Sequence, residues 1–594
     1  MLYGGKLVET TSFNKFIGNR LFRIPIYQRH YSWDNKQLDD LWNDLLYLDP
    51  NKKHYFGTIL TKNTEETAKP DRAKEFEIHE IIDGQQRFAT VLVFLREILT
   101  QLRQTGFLPE EDVGRLEEEY LKYKSAYKLE LLGDDQEFFR RYIVDGREYP
   151  EELITQSRMK LKNARDFFRE KLNGLKQANA ETFPDTLLQF KKRIDDMELI
   201  EYEIQNDPDA ARIFETVNDR GKPLSNLEKT KSFMMYMMYL SKPEDCGDEL
   251  RRINENFSNI FRLFTQITDK EPGRYLEEDD IQRYHFVIYE KDIVHSRRDE
   301  AADYLPFLKN KFRRIYRERR TGSPGEMLSY VQDLENSFYS LKTLLTYGED
   351  DAIAALLERL FILGRVANFY PLLIASWIEF ERDRSKLERI LSLIETITFR
   401  TYAIRGRRAD TGQSRLYDLS FQVHTGTSGY DKIVAELQDI VKEYCDDANF
   451  RSALSSPEYY LTIDNLDQRF LLFEYEKFLR ESSKEPLDIK LKEILKDSFT
   501  IEHIWPSDPS QLNLSAQESV KHQANKHRLG NLTLASRSWN SSWGNSPFQI
   551  KRREYNQSVL RVQKELTSFT TWGTAEIDQR EKRLIEFAVN RWKY

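Results

Sequence analysis

The stretch FEIHEIIDGQQRFATVLVFLREIL, Phe76 to Leu99, constrains the fold more than any other. It reads as a strand, a tight Asp-Gly turn and an apolar helix. Nearby, RLFRIPIYQRHYSW reads as a strand entering a loop, and HYFGTILT as a short strand. NKQLDDLWNDLLYL reads as a helix, because Leu38, Leu41, Trp42, Leu45 and Leu46 recur at helical spacing. The first hundred residues are therefore expected to be mixed α/β. The turn sets Asp83, Gly84, Gln85, Gln86 and Arg87 between strand and helix. Glycine allows close approach of a ligand. The helix start offers free N–H groups to an anion, and Arg87 a phosphate-matching fork. A polar turn capped by Asp83 is the plainer reading, and on these residues alone it is preferred.

From about 110 to 240 the pattern is charged and helical, as in EEDVGRLEEEYLKYKSAYKLELL, with MELIEYEI as a short strand. Breaks fall near 241–249, 320–326, 405–414 and 424–431, between amphipathic helices, with no fixed-period repeat. The middle of the chain is expected to be a helical bundle or spacer. A composition of 40% hydrophobic and 32% charged residues suits a soluble, helix-rich protein. No apolar run approaches the roughly 20 residues of a membrane span, so no membrane is expected. The start, MLYGGKLVET, lacks the pattern of a secretory signal. Cys246 and Cys445 form no CxxC pair, which argues against a cysteine zinc site or a disulfide framework. A cytoplasmic protein is expected. The net charge of −8 hides an asymmetry, since residues 521–594 carry 14 Lys/Arg against six Asp/Glu. That segment is either a footprint for nucleic acid or an ordinary solvated surface, and charge alone leaves both open.

Two sets of boxes carry a resemblance. Near the C-terminus stand EHI-x-P (Glu502–Pro506), H-x-LGNLTL (His527–Leu534) and N-x-x-x-x-N-x-x-F-x-x-K (Asn540, Asn545, Phe548, Lys551). Near the N-terminus stand IPIYQRHYSW (Ile24–Trp33), the pair Phe56-Gly57 and IDGQQR (Ile82–Arg87). They are followed by FETVNDRGKPLSNLEKTK, with Asn218, Arg220, Glu228 and Lys231. Together they resemble the GmrSD-type, type IV modification-dependent restriction endonucleases, over about 20–235 and 495–560. The N-terminal boxes resemble a module related to the ParB/sulfiredoxin fold. The C-terminal boxes resemble the HNH, or ββα-metal, nuclease motif. Phe88 stands where this family usually has Leu, a change between apolar residues.

The resemblance implies an α+β, predominantly helical fold. Its parts would be a ParB/sulfiredoxin-like α/β module over 1–240, a helical region over 241–430 and a ββα-metal nuclease domain over 431–594. It implies binding and hydrolysis of an NTP (GTP, ATP or UTP) at Gln28, Arg29, Asp83, Gly84, Gln85, Gln86 and Arg87. No GxxxxGK[ST] segment is present, so a Walker P-loop is not the means. Phosphodiester hydrolysis needs an activated water and a cation against the departing oxygen. In that scheme Glu502 and Asn540 hold Mg²⁺ or Mn²⁺, and His503 takes the water's proton. Asn531 orients His503 by hydrogen bonding. Asn218, Arg220, Lys231, His527, Asn545 and Lys551 are second-rank candidates, His527 either supporting the fold or contacting phosphate. The expected partners are a nucleotide and double-stranded DNA, modified in base or backbone, and a homodimer is left open. The alternatives are a phosphorothioate-sensing NTPase and nickase of the same architecture, and a non-catalytic ParB-like DNA-binding regulator.

Overall fold

The computed structural model describes residues 9–49, 52–148, 155–204, 224–242, 245–268, 276–290, 304–319, 322–346, 352–486, 489–495, 498–537 and 543–594. The chain divides into two compact units, one of residues 1–283 and 302–342, the other of 284–301 and 343–594. The helices of 241–430, expected to form one region, are therefore shared between two units.

The first unit is built on a mixed six-stranded sheet. Its strands are β1 (Glu9–Ser12), β2 (Arg20–Arg23), β3 (Tyr55–Ala68), β4 (Phe76–Asp83), β7 (Leu129–Glu130) and β8 (Glu198–Glu203), in the order β1-β8-β3-β4-β2-β7. A separate small hairpin pairs β5 (Lys122–Tyr123) with β6 (Ala126–Tyr127). Strand β4 runs parallel to β2 and antiparallel to β3. The Gln85–Thr105 helix follows β4 directly and is buried along most of its length, which accounts for its near-continuous apolar sequence. Phe88 is fully buried and packs edge-on against Phe22 at 4.8 Å between ring centres. The Glu110–Tyr120, Gln156–Ala178 and Phe183–Asp195 helices cover the Gln85–Thr105 helix.

EEDVGRLEEEYLKYKSAYKLELL is not helical throughout, because the helix stops at Tyr120 and the chain turns into β5, β6 and β7. Beyond the turn the backbone pairs with β2, Phe22 N donating to Lys128 O and Ile24 N to Glu130 O, both at 2.9 Å, and the buried Lys128 Nζ donates to the carbonyls of Ile17, Gly18 and Arg20. Those acceptors lie about the end of the Phe13–Ile17 helix, where carbonyls lack helical partners. These bonds hold the segment at the sheet edge beside β2.

Among its described residues the second unit is helical except for β9 (Phe499–His503) and β10 (Leu532–Ser536), an antiparallel pair. The Asn465–Ser482 and Thr574–Arg591 helices contribute Phe470, Leu471, Tyr475, Leu584 and Phe587 to the core that covers this pair. The short Phe548–Tyr555 helix follows β10. Among the described residues, no helix is long and apolar enough to cross a membrane.

Candidate functional site

In the first unit, three sequence boxes far apart in the chain meet behind one loop. Gly84 adopts φ 96° at the start of the Gln85–Thr105 helix, a conformation that favours glycine. The side chains of the turn then face inward. Gln28 Nε2 donates to Ile82 O, and Gln85 Nε2 donates to Gln28 Oε1 at 2.7 Å. Gln86 Oε1 accepts from Ser32 N at 2.7 Å, while its Nε2 donates to His30 O at 3.0 Å. Arg87 donates to Phe56 O (2.7 Å) and Thr58 O (2.9 Å) and lies 3.5 Å from Asp83. From the third box, Lys231 Nζ donates to Gln28 O (3.2 Å) and Ser232 Oγ to Tyr27 O (3.2 Å). Gln28, Gln85, Gln86 and Lys231 therefore fix the conformation of residues 27–32.

The electrostatics follow from burial. Arg29 is buried, and the charges of Glu228 and Asp83 counter the burial that lowers its pKa. Burial lifts the Asp83 carboxyl above its usual range against the pull of Arg87 and Arg29. Burial pushes the Lys231 ammonium down to about 7, against the charge of Glu228. Asn218 and Arg220 lie outside the described residues.

Beside this loop lies a cavity of about 840 Å³ whose wall includes Arg29, His30, Lys160, Arg251, Arg262 and Glu278. Burial pushes the Glu278 carboxyl up to about 7, helped by the charges of Glu228 and Asp279. Of the seven residues read as nucleotide-binding, Arg29 is the one in this wall, whereas Gln28, Gln85, Gln86 and Arg87 bond to the chain itself. Sequence reading did not single out His30, Lys160 or Glu278. His30 lies between two matched residues of its box, and the others come from helices with no local signature.

In the second unit, β9 and β10 pair in the register Leu532↔His503 and Thr533↔Glu502. Neighbours on a strand face opposite ways. Glu502 meets the fully buried Lys551 of the Phe548–Tyr555 helix, whose Nζ donates to Glu502 Oε1 and, at 2.8 Å, to His503 O. Burial raises the Glu502 pKa while Lys551 opposes it, and burial lowers that of Lys551 while Glu502 opposes it. His503, 9% exposed, meets Tyr460 edge-on at 4.4 Å, and its Nε2 lies 3.3 Å from His527 Nδ1. Burial pushes the His503 imidazole down to about 3, helped by His527 and Lys551. His527 stacks on Tyr460, and its carbonyl accepts from Tyr460 N at 2.9 Å.

Asn531 does not orient His503 through its side chain. Its Oδ1 accepts from Trp505 N (2.7 Å) and Trp572 Nε1 (3.0 Å), and its Nδ2 donates to Trp505 O (2.9 Å) and Lys526 O (2.8 Å). Two acceptor and two donor positions are thus in use. The residue pins the chain leaving His503 against the start of β10. Asn545 donates to Asp508 at 2.9 Å. Asn540 lies outside the described residues. Among the described residues, no three His, Cys, Asp or Glu side chains converge on a metal position. Glu502 supplies one hard oxygen donor, the type that Mg²⁺ and Mn²⁺ prefer. The basic segment is also less free than its charge suggests. Arg528, Lys551, Arg561, Arg580, Arg583 and Arg591 all pair with carboxylates of the chain.

The comparisons agree with this division. Residues 11–235 match the family of the GmrSD restriction endonuclease N-terminal domain, and residues 444–587 match that of the GmrSD restriction endonuclease C-terminal domain. Against the curated proteins the chain finds no match. The first match holds every box of the Arg29 loop and the second holds the β9–β10 pair, so this chain has the architecture of a GmrSD-type restriction endonuclease.

Proposed function

We propose that the chain is an NTP-dependent DNA endonuclease of phage defence that cuts or nicks foreign, modified double-stranded DNA by metal-assisted phosphodiester hydrolysis. The observation that carries this reading is the β9–β10 pair, which sets Glu502 and His503 in adjacent positions with Lys551 bonded to the Glu502 carboxylate and to the His503 carbonyl. A neutral imidazole can accept the proton of an attacking water. A proton gained by His503 would meet His527 Nδ1 across 3.3 Å. Glu502 and Asn540 would hold Mg²⁺ or Mn²⁺, which would neutralise charge on the departing oxygen. Lys551 counters the burial that raises the Glu502 pKa, and Asn531 pins the chain leaving β9 against the start of β10. The first unit would bind and hydrolyse the nucleotide, with the Arg29 loop held by the DGQQR turn. The basic residues of 521–594 that are not paired internally would meet the DNA backbone.

The test is plasmid nicking by the full chain with Mg²⁺ and each of GTP, ATP and UTP. Matched unmodified, glucosylated and phosphorothioated DNA would be compared. Cleavage that needs both metal and nucleotide supports the reading. DNA binding without cleavage under every condition would point to a ParB-like regulator.

A further inference from the structure

His30 and Asp135 form a second histidine site, in the first unit. His30 Nδ1 lies 2.6 Å from Asp135 Oδ2, and Ser157 Oγ donates to Asp135 Oδ1 at 2.8 Å. The Asp135 side chain is 3% exposed, so the carboxylate is held from two sides with little freedom. An ionised carboxylate only accepts, so Nδ1 donates to Asp135 and Nε2 is the ring nitrogen left to exchange a proton. The backbone of His30 is fixed by Gln86 Nε2 at 3.0 Å, and the ring meets Phe261 edge-on at 6.0 Å. Nε2 has no hydrogen-bond partner among the described residues and is not a buried orphan. His30, Asp135, Ser157 and Phe261 all stand in the wall of the 840 Å³ cavity.

A purely structural His–Asp clamp would end against packed protein. This one ends at a cavity within the ~300–1,000 Å³ typical of small-molecule sites. The cations Arg29, Lys160, Arg251 and Arg262 share its wall with six carboxylates, Glu228, Glu278 and Asp279 among them. The cations can meet a nucleotide's phosphates and the carboxylates its hydroxyl and amino donors, and the volume suits a nucleotide rather than a duplex. We infer that His30 is the general base for nucleotide hydrolysis in this cavity, with Asp135 and Ser157 as its positioning residues. The inference rests on the nucleotide reading of the first unit. In the reaction, a water oxygen bonds to the γ-phosphorus as the bond from that phosphorus to the β,γ-bridging oxygen breaks. The water's proton passes to His30 Nε2 and then to solvent, leaving nucleoside diphosphate and inorganic phosphate. The DGQQR turn acts one step back, by holding the loop that carries Arg29 and His30.

The experiment uses the full chain and two readouts, phosphate release from ATP, GTP and UTP and equilibrium binding of their β,γ-imido analogues. His30→Ala is expected to lower kcat by about 10²–10⁴, with analogue affinity unchanged and turnover partly restored by added imidazole. Asp135→Asn keeps the shape but can donate to Nδ1 and favour the wrong tautomer, so kcat should fall with His30 still in place. Wild-type kcat in either variant would overturn the assignment of His30 while leaving the nucleotide reading intact. So would equal loss of binding and turnover, or loss without imidazole rescue. No binding and no turnover of any nucleotide by the wild-type chain would overturn both.

Discussion

At the scale of single residues, the second unit depends on which polar groups are buried together. Lys551 is fully buried and bonds Glu502, so neither charge is left alone. Removing one partner of such a pair typically costs about 3–5 kcal/mol, because the other is left charged in an apolar site. Lys551→Met should therefore lower stability by about that amount, read by urea denaturation. Adding Glu502→Gln should recover part of it. A single variant as stable as the wild type would show that the pair contributes nothing. His503 makes a different demand. If it is the base, His503→Ala should slow nicking by about 10²–10⁴. Nucleotide turnover should persist, since that chemistry is assigned to the other unit. Wild-type nicking by the variant would remove His503 from the mechanism.

At the scale of elements, the strand–turn–helix around Gly84 works because a second glycine, on β3, makes room for it. Gly57 has φ 106°, and a Cβ there would overlap the Arg87 guanidinium. Arg87 could then no longer reach the carbonyls of Phe56 and Thr58, which it now bridges. Gly57→Ala should cost at least the ~1–3 kcal/mol of a strained backbone position and displace Arg87. A melt unchanged from wild type would contradict this. The sequence made much of this legible. The turn, the apolar helix and the Phe-Gly pair could each be read locally, because each has a local backbone reason. Asn531 could be picked out but not its partners, since spacing says nothing of which atoms it reaches. Glu502 and His503 read as one adjacent pair, but pleating sends them to different partners. The cavity beside Arg29 was illegible, since Asp135, Lys160 and Arg262 come from separate helices and meet only in space. The strands after Tyr120 have no local signal, since the partners of this segment, β2 and the carbonyls that Lys128 reaches, lie more than a hundred residues away.

At the scale of the whole molecule, the buried bases give the two units different responses to pH. A group with a lowered folded pKa binds fewer protons folded than unfolded, so stability is lost as the pH is lowered from its unfolded to its folded value. In the first unit Lys128 and Lys231 are both pushed down to about 7 from 10.5, so their loss of stability falls between about pH 10.5 and 7. In the second unit His503 is pushed down to about 3 from 6.5, so its loss comes between about pH 6.5 and 3. Other groups modify both trends. Glu278, raised to about 7, adds stability to the first unit as pH falls from about 7 to 4.5, while lowered His54 and His79 act against it. Lowered Lys551 gives the second unit a share of the alkaline trend. Variants isolate each contribution. Lys231→Met should flatten the wild-type curve above pH 7 by up to about 1.4 kcal/mol per pH unit. His503→Gln should leave that range alone and flatten the curve below pH 6.5 by the same order. Calorimetry of the 594-residue chain at pH 9, 7 and 5 would read both. Curves for the two variants that run parallel to the wild type would show that neither group is held neutral by burial in the folded protein.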